Sequence, residues 1–207
     1  MKIFFFSLLL TIFYLGVWAQ KADTILVNID LKKYNTERIL MTRNSMYVLG
    51  GWSVANLVTS GVGWAKGKGS NQYFHQGNVM WDIVNLSIVV PNLLSTKRNL
   101  HKNYTGSETL KYQRATEVTY LVNLGLDAGY MVTGFALREY ALNHPANKSV
   151  NRLNGYGTSL LLQGGFLLLY DVTMCSLHYQ HSIQLKPAKY IGDLGFTGNG
   201  FIYAYRF

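Results

Sequence analysis

Four apolar stretches divide the chain, and each has nearly the length that crosses a lipid bilayer. They cover residues 46–64, 77–94, 118–137 and 155–177. A helix rises about 1.5 Å per residue, so roughly 20 residues span the ~30 Å hydrocarbon layer. The pattern predicts an all-α, four-helix transmembrane bundle over residues 46–178, with residues 20–45 as an N-terminal arm that leads into the first helix.

The two ends of the chain differ from this pattern. Residues 1–19 begin with Lys2, continue as an apolar run and finish in Val17-Trp18-Ala19, which predicts a signal peptide cleaved after Ala19. Such a signal places the protein in a bacterial-type cell envelope.

The tail, residues 179–207, has a period of two instead of a helical period. The segments 189–196 and 201–207 flank a Thr-Gly-Asn-Gly turn, and aromatic residues alternate along the second segment. This pattern predicts a short C-terminal β-hairpin beside the bundle.

Composition favours membrane residence over a soluble bundle. Charged residues make up 14% of the 207 residues, about half the share that is usual for soluble domains. The net charge of +9 lies mainly in the connections between apolar stretches, where it suits a phospholipid surface better than nucleic acid. The predicted partners are therefore the lipid bilayer and a membrane protein or a second copy of this chain, without nucleic acid. With one cysteine, Cys175, and no metal or cofactor motif in the sequence, we expect no bound metal or cofactor.

Each apolar stretch carries an amide or a carboxylate near its middle. In the second stretch Asn78, Asp82 and Asn85 are four and three residues apart, so they share one helical face. The candidate binding residues of this polar layer are Asn56, Asn78, Asp82, Asn85, Asn123, Asp127, Gln163 and Asp171. His75, just before the second stretch, is a candidate proton relay to Asp82. We also expect small residues to let the helices approach closely, namely Gly51, Gly125, Gly129, Gly164 and Gly165.

The amides and the aspartates of this layer carry different implications. Amides commonly hold membrane helices together, at about 1 kcal/mol or less each. A carboxylate in hydrocarbon costs roughly 2.5–3.5 kcal/mol, and no Lys or Arg lies inside the four stretches to neutralise it. Each aspartate must therefore be protonated, bind a cation, lie near water or accept hydrogen bonds from amides.

These observations leave three functions open. The first is a non-enzymatic membrane scaffold or partner-binding subunit. The second is a small proton- or cation-linked transporter or channel subunit that uses Asp82 and Asp127. The third is a secreted soluble helical bundle that binds an apolar ligand. The sequence shows no nucleophile–base pair, phosphate loop or nucleophile elbow, so it predicts no catalytic residue and does not favour an enzyme.

Two rules disagree about orientation. Export by the signal peptide would leave 13 Lys and Arg on the outer side and five on the inner side. The positive-inside rule requires the opposite distribution. The orientation of the bundle therefore stays open.

Overall fold

The computed structural model describes residues 29–185 and the backbone of residues 193–196 and 201–204. The predicted signal peptide, residues 1–19, lies outside the described residues. So does most of the part of the predicted arm that precedes the first helix.

Four long helices make up the bundle. They are α1 (Leu31–Lys66), α2 (Gly69–His101), α3 (Gly106–Asn143) and α4 (Val150–Ser182), and a short 3-10 turn, Ile183–Leu185, follows α4. The all-α bundle predicted for this region is confirmed. Every predicted apolar stretch lies inside one helix, but each helix continues beyond its stretch into polar or charged sequence.

Capping side chains account for where two of these helices begin. Helix α1 starts after Asp30, whose carboxylate accepts a hydrogen bond from the Lys33 N–H at 3.0 Å. Helix α3 starts with a reciprocal capping box, in which Thr105 accepts from the Glu108 N–H and Glu108 accepts from the Thr105 N–H. Such caps satisfy backbone groups that the first helical turn leaves unpaired. They let the helices begin in charged sequence.

The turn between α1 and α2 is much shorter than the polar, glycine-rich composition of residues 65–74 suggests. Only Gly67 and Lys68 separate the two helices. The reversal is possible because Gly69 has a φ of 57°, a conformation that glycine adopts without a steric penalty.

The helices pack unevenly around the bundle. Helix α3 lies along α4, α1 lies along α2, and α2 lies along α4, whereas the α1 backbone comes close to α3 and α4 at few positions. Aromatic side chains fill the wider gap. The Trp52 ring stacks on Phe166 with centroids 4.0 Å apart, and the Tyr170 hydroxyl donates to Ser45 Oγ at 3.0 Å.

The glycines that permit close helix contact are not the ones expected. A Cβ on Gly51, Gly125, Gly129 or Gly165 would meet nothing within 4 Å. The close contact between α3 and α4 instead involves Gly134 and Gly157, where an added Cβ on either glycine would lie 2.7 Å from the carbonyl oxygen of the other. Only Gly164 of the expected set faces a neighbouring helix closely, because its Cβ would lie 3.3 Å from the Asp127 carbonyl oxygen.

The predicted fold class is wrong about the C-terminal β-hairpin. The continuous described part, residues 29–185, consists of helices without a strand. Beyond it, the structure describes only two four-residue segments, Asp193–Phe196 and Phe201–Ala204, whose backbones pair antiparallel. The rest of the predicted hairpin lies outside the described residues. An isolated pair of short strands is marginally stable in water, so the fold of residues 29–185 is an all-α bundle without a packed hairpin.

The bundle buries polar side chains and exposes apolar ones. Asp82, Asn78, Gln163 and His178 are completely buried within residues 29–185, whereas Leu94 is 77% exposed. Two helical segments, Gly69–His101 and Val150–Leu185, are long and apolar enough to cross a membrane, not all four helices as predicted. The amides, hydroxyls and glycines within α1 and α3 lower their hydropathy.

Candidate functional site

The first polar cluster surrounds Asp82 in the middle of α2. Its carboxylate is completely buried, and Oδ1 accepts a hydrogen bond from Asn56 Nδ2 of α1 at 3.3 Å. Gln163 of α4 lies beside the Asp82 carboxyl. The second oxygen, Oδ2, has no hydrogen-bond partner. Asp82 therefore has amides of two other helices beside it and retains an unsatisfied acceptor.

Gln163 connects this cluster across three helices. Its Oε1 accepts from Trp52 Nε1 at 3.2 Å, and its Nε2 donates to Asn78 Oδ1 at 3.3 Å. Ser159 Oγ donates to the same Asn78 oxygen at 2.8 Å. The structure therefore brings together Asn56, Asn78, Asp82 and Gln163, four of the residues that the sequence predicted for one layer.

His75 joins this cluster indirectly. Its Nδ1 lies 3.4 Å from Ser60 Oγ, which donates to Asn56 Oδ1 at 3.4 Å, and Asn56 in turn donates to Asp82. A hydrogen-bonded chain thus runs from His75 to Asp82, but it passes through an amide. Asn56 can orient the carboxylate, whereas an amide N–H is a poor proton carrier, so the geometry supports an orienting role for this chain more directly than a relay.

The second polar cluster lies between α3 and α4. The carboxyl groups of Asp127 and Asp171 face each other closely enough to interact, and the Asn123 side chain lies beside Asp171. Both carboxyls are 3% exposed, and each has one oxygen without a partner. The predicted single layer is therefore two clusters, each of which includes a side chain of α4.

Asn85 and Asn92 lie outside both polar clusters. Asn85 is buried, but its Nδ2 has no hydrogen-bond partner. Asn92, seven residues after Asn85 on α2, is exposed and donates to the Ile88 carbonyl of its own helix at 2.9 Å. The polar face of α2 thus extends from Asn78 to Asn85 and ends before Asn92.

Neither cluster contains a basic partner for its carboxyls. Within residues 29–185 the ion pairs Lys102–Glu108 and Arg114–Glu117 lie near the helix ends, and His181 Nε2 lies 3.3 Å from Glu37 Oε2. None of these pairs involves Asp82, Asp127 or Asp171. The three buried carboxyls are therefore not neutralised by an ion pair within the described residues.

Two hydroxyl donors of the first cluster were not among the predicted residues. Ser60 follows Asn56 by four residues and Ser159 precedes Gln163 by four, so each shares a helical face with a predicted amide. That spacing is the signal from which they could have been found.

A third polar group, at the end of the bundle that contains the α1 N-terminus, was also not predicted. Arg38 is buried, its Nη2 donates to Asn35 Oδ1 at 3.1 Å, and its guanidinium lies 5.6 Å from the ring centroids of Tyr104 and Tyr112. Burial lowers the pKa of Arg38 from its ordinary value. These residues lie outside the apolar stretches, so a search based on hydropathy passes over them.

Two buried histidines of α4 lie beside this group. The His178 ring stacks on Tyr120 with centroids 5.3 Å apart, and the His181 ring stacks on Tyr34 at 4.0 Å. Burial lowers the pKa of His178 to about 4, and burial also lowers the pKa of His181. The His178 ring is therefore neutral at neutral pH, whereas His181 Nε2 lies 3.3 Å from Glu37 Oε2.

Both central clusters lie within the part of the chain that one protein-family model matches. A model described as a family of unknown function (DUF6992) matches residues 48–172. That range contains Asp82, Asp127 and Asp171, and it excludes Arg38 and His178. No curated protein and no solved structure matches the chain.

Proposed function

The chain belongs to the DUF6992 family of unknown function, and we propose that it is an integral membrane protein whose buried carboxyl groups bind and release protons in a proton-linked transport or coupling step. The observation that carries this proposal is the neighbouring pair Asp127–Asp171, two carboxyl groups that are buried together and form no ion pair among the described residues.

The inverted polarity of the bundle supports the membrane placement. Many polar side chains lie in the interior beside a small apolar cluster, while large apolar side chains such as Val132 and Leu169 are exposed. A surface of this kind is costly in water and favourable in hydrocarbon. Two helical segments, Gly69–His101 and Val150–Leu185, are also long and apolar enough to cross a membrane.

The carboxyl pair supports a proton as the bound species. Two neighbouring buried carboxylates repel each other strongly, and one shared proton removes that repulsion. The protonated carboxyl can then donate a hydrogen bond to its partner. The Asn123 amide beside Asp171 is a further donor that can stabilise the pair.

Infrared spectroscopy tests whether the pair holds this proton. In reconstituted protein at neutral pH we expect a C=O stretching band of a protonated carboxyl group, because the pair shares one proton. The band should disappear in the double variant Asp127→Asn with Asp171→Asn and persist in the control Glu139→Gln, which changes an exposed carboxylate near the end of α3. If wild-type protein lacks the band at neutral pH, the shared proton is refuted.

A flux assay tests whether the proton takes part in transport. The protein is reconstituted in vesicles with a trapped pH indicator, and a proton gradient is imposed. We expect acidification faster than in protein-free vesicles, lost in the Asp127/Asp171 double variant and retained in Glu139→Gln. Equal rates in wild type and the double variant, when both are folded, would contradict proton-linked flux.

A scaffold is the second candidate, and a specific observation favours it. The hydrogen bonds Trp52–Gln163, Gln163–Asn78 and Ser159–Asn78 connect three helices, as polar side chains that hold membrane helices together do. If the Asp127/Asp171 double variant assembles with its cellular partners and functions as wild type, the scaffold explains the protein better than proton binding.

A further inference from the structure

A basic cavity opens at the end of the bundle where α1 begins. It has a volume of about 930 Å³ and lies between α1, α2 and the start of α3. Its cationic lining residues are Arg38, Lys97, Arg98 and Lys102. None of its lining residues is acidic. A concave surface lined by one sign of charge concentrates ions of the opposite sign.

Arg38 is the buried anchor of this cavity. It is only 7% exposed, and no ion pair among residues 29–185 joins it to a carboxylate. Its Nε has no hydrogen-bond partner. A buried guanidinium normally has a carboxylate or phosphate as its partner. Arg38 therefore lines the cavity without an anionic partner among residues 29–185.

Two tyrosines hold the cations of the cavity in place. The rings of Tyr104 and Tyr112 meet edge to face with centroids 5.5 Å apart. Arg38 lies 5.6 Å from each ring, and the Lys102 ammonium lies 4.9 and 5.1 Å from them. Glu108 pairs with Lys102 at 2.9 Å. Lys97 and Arg98, one turn away on α2, are exposed and take part in none of the ion pairs of the described chain.

The cavity also lies at the boundary between apolar and charged surface. The exposed apolar row of α2 ends at Leu94, which lines the cavity, and Lys97 and Arg98 begin less than one turn later. In the membrane placement that we propose, this boundary coincides with the level of the phospholipid headgroups. An anion at this level can carry acyl chains that continue along Leu94.

We propose that this cavity binds the phosphate of an anionic phospholipid headgroup, with Arg38 as the buried contact and Lys97 and Arg98 as the outer contacts. Basic pockets beside membrane helices select anionic lipids through charge-assisted hydrogen bonds. The inference rests on the proposed membrane placement, but it does not depend on proton binding by the central carboxyls.

The test measures lipid-dependent stabilisation of the detergent-purified full chain. We expect phosphatidylglycerol to raise the thermal unfolding midpoint more than zwitterionic phosphatidylcholine at the same mole fraction. The double variant Lys97→Gln with Arg98→Gln should need a roughly thirtyfold higher phosphatidylglycerol concentration for the same rise of the unfolding midpoint. The matched control Lys66→Gln with Lys68→Gln removes the same charge at the opposite end and should respond as wild type.

Several outcomes would overturn the inference. Equal stabilisation by both lipids, or an unchanged response of the Lys97/Arg98 variant, rejects the site. Equal stabilisation by glycerol phosphate in solution identifies a free phosphate compound instead of a lipid.

A second variant and a separate extraction keep the result interpretable. Arg38→Gln, provided that it folds, should lose the phosphatidylglycerol effect as well, and retention of the effect would contradict the role of Arg38. Release of the protein from membranes by alkaline carbonate would refute the membrane placement itself. That result is distinct from a failure of lipid selectivity in a protein that stays in the membrane.

Discussion

Replacing Gly134 with alanine measures how closely α3 and α4 must approach. The added Cβ would lie 2.7 Å from the Gly157 carbonyl oxygen and 3.0 Å from the Leu161 nitrogen, both of which are backbone atoms. Ordinary van der Waals contact begins at 3.4 Å, so the two helices would have to separate locally by about 0.7 Å, in a closely packed interior that resists displacement. Overpacking of this kind typically costs about 1–3 kcal/mol.

Gly129 provides the matched control on the same helix. A Cβ there would meet nothing within 4 Å, and alanine in a helix interior is favoured over glycine by up to about 1 kcal/mol. We therefore expect Gly129→Ala to stabilise the bundle slightly and Gly134→Ala to be less stable than Gly129→Ala by about 1–3 kcal/mol.

Reversible unfolding in mixed micelles, followed by circular dichroism, gives the free energies of unfolding to compare. Equal stabilities for the two variants would refute the close α3–α4 contact. Gly157→Ala offers an independent check from the other side of the contact and should resemble Gly134→Ala.

Two further predictions concern the ends of the bundle. Burial lowers the pKa of His178 to about 4 from an ordinary 6.5, so protonation favours the unfolded chain. The free energy of unfolding should therefore fall as the pH decreases from 6.5 toward 4, by about 1 kcal/mol at pH 5.5. His178→Gln should make this pH dependence shallower, and an unchanged slope would contradict the assignment. Thr105→Ala should lower the free energy of unfolding by about 1 kcal/mol because it removes the α3 cap. Ser149→Ala should lower it little, because Ser149 makes no capping hydrogen bond at the start of α4. Equal decreases of the thermal unfolding midpoint in the two variants would argue against the capping box.

Hydropathy located the helices but not their ends. The stretch 46–64 lies inside α1, yet this helix begins at Leu31, within residues 20–45, which were predicted as the arm that leads into it. Hydropathy reports the cost of transfer into hydrocarbon, and charged residues outside a bilayer can be helical without that signal. The Asp30 cap and the packing of Tyr34 extend α1, and both depend on contacts that an apolar count does not register.

The residues of the polar interior were predictable, whereas their partners were not. The spacing of Asn78, Asp82 and Asn85 fixed a common face, and all three are buried. The packing order of the bundle determines which helix meets that face, and this order cannot be read from a single sequence. For the same reason the sequence did not predict that Asp127 pairs with Asp171.

Glycine composition was a poor guide to helix contacts. Gly129 and Gly134 lie on the same helix, but only Gly134 faces a neighbouring backbone. A glycine permits close approach without specifying it. The contact itself depends on the rotation of α3 about its axis, which many side chains determine together.

Helix α4 supplies Gln163 to one polar cluster and Asp171 to the other. Because both side chains project from one continuous helix, a tilt or rotation of α4 would displace the two clusters together. In the function that we propose, a movement of α4 on protonation of the Asp127–Asp171 pair would therefore also displace Gln163 beside Asp82.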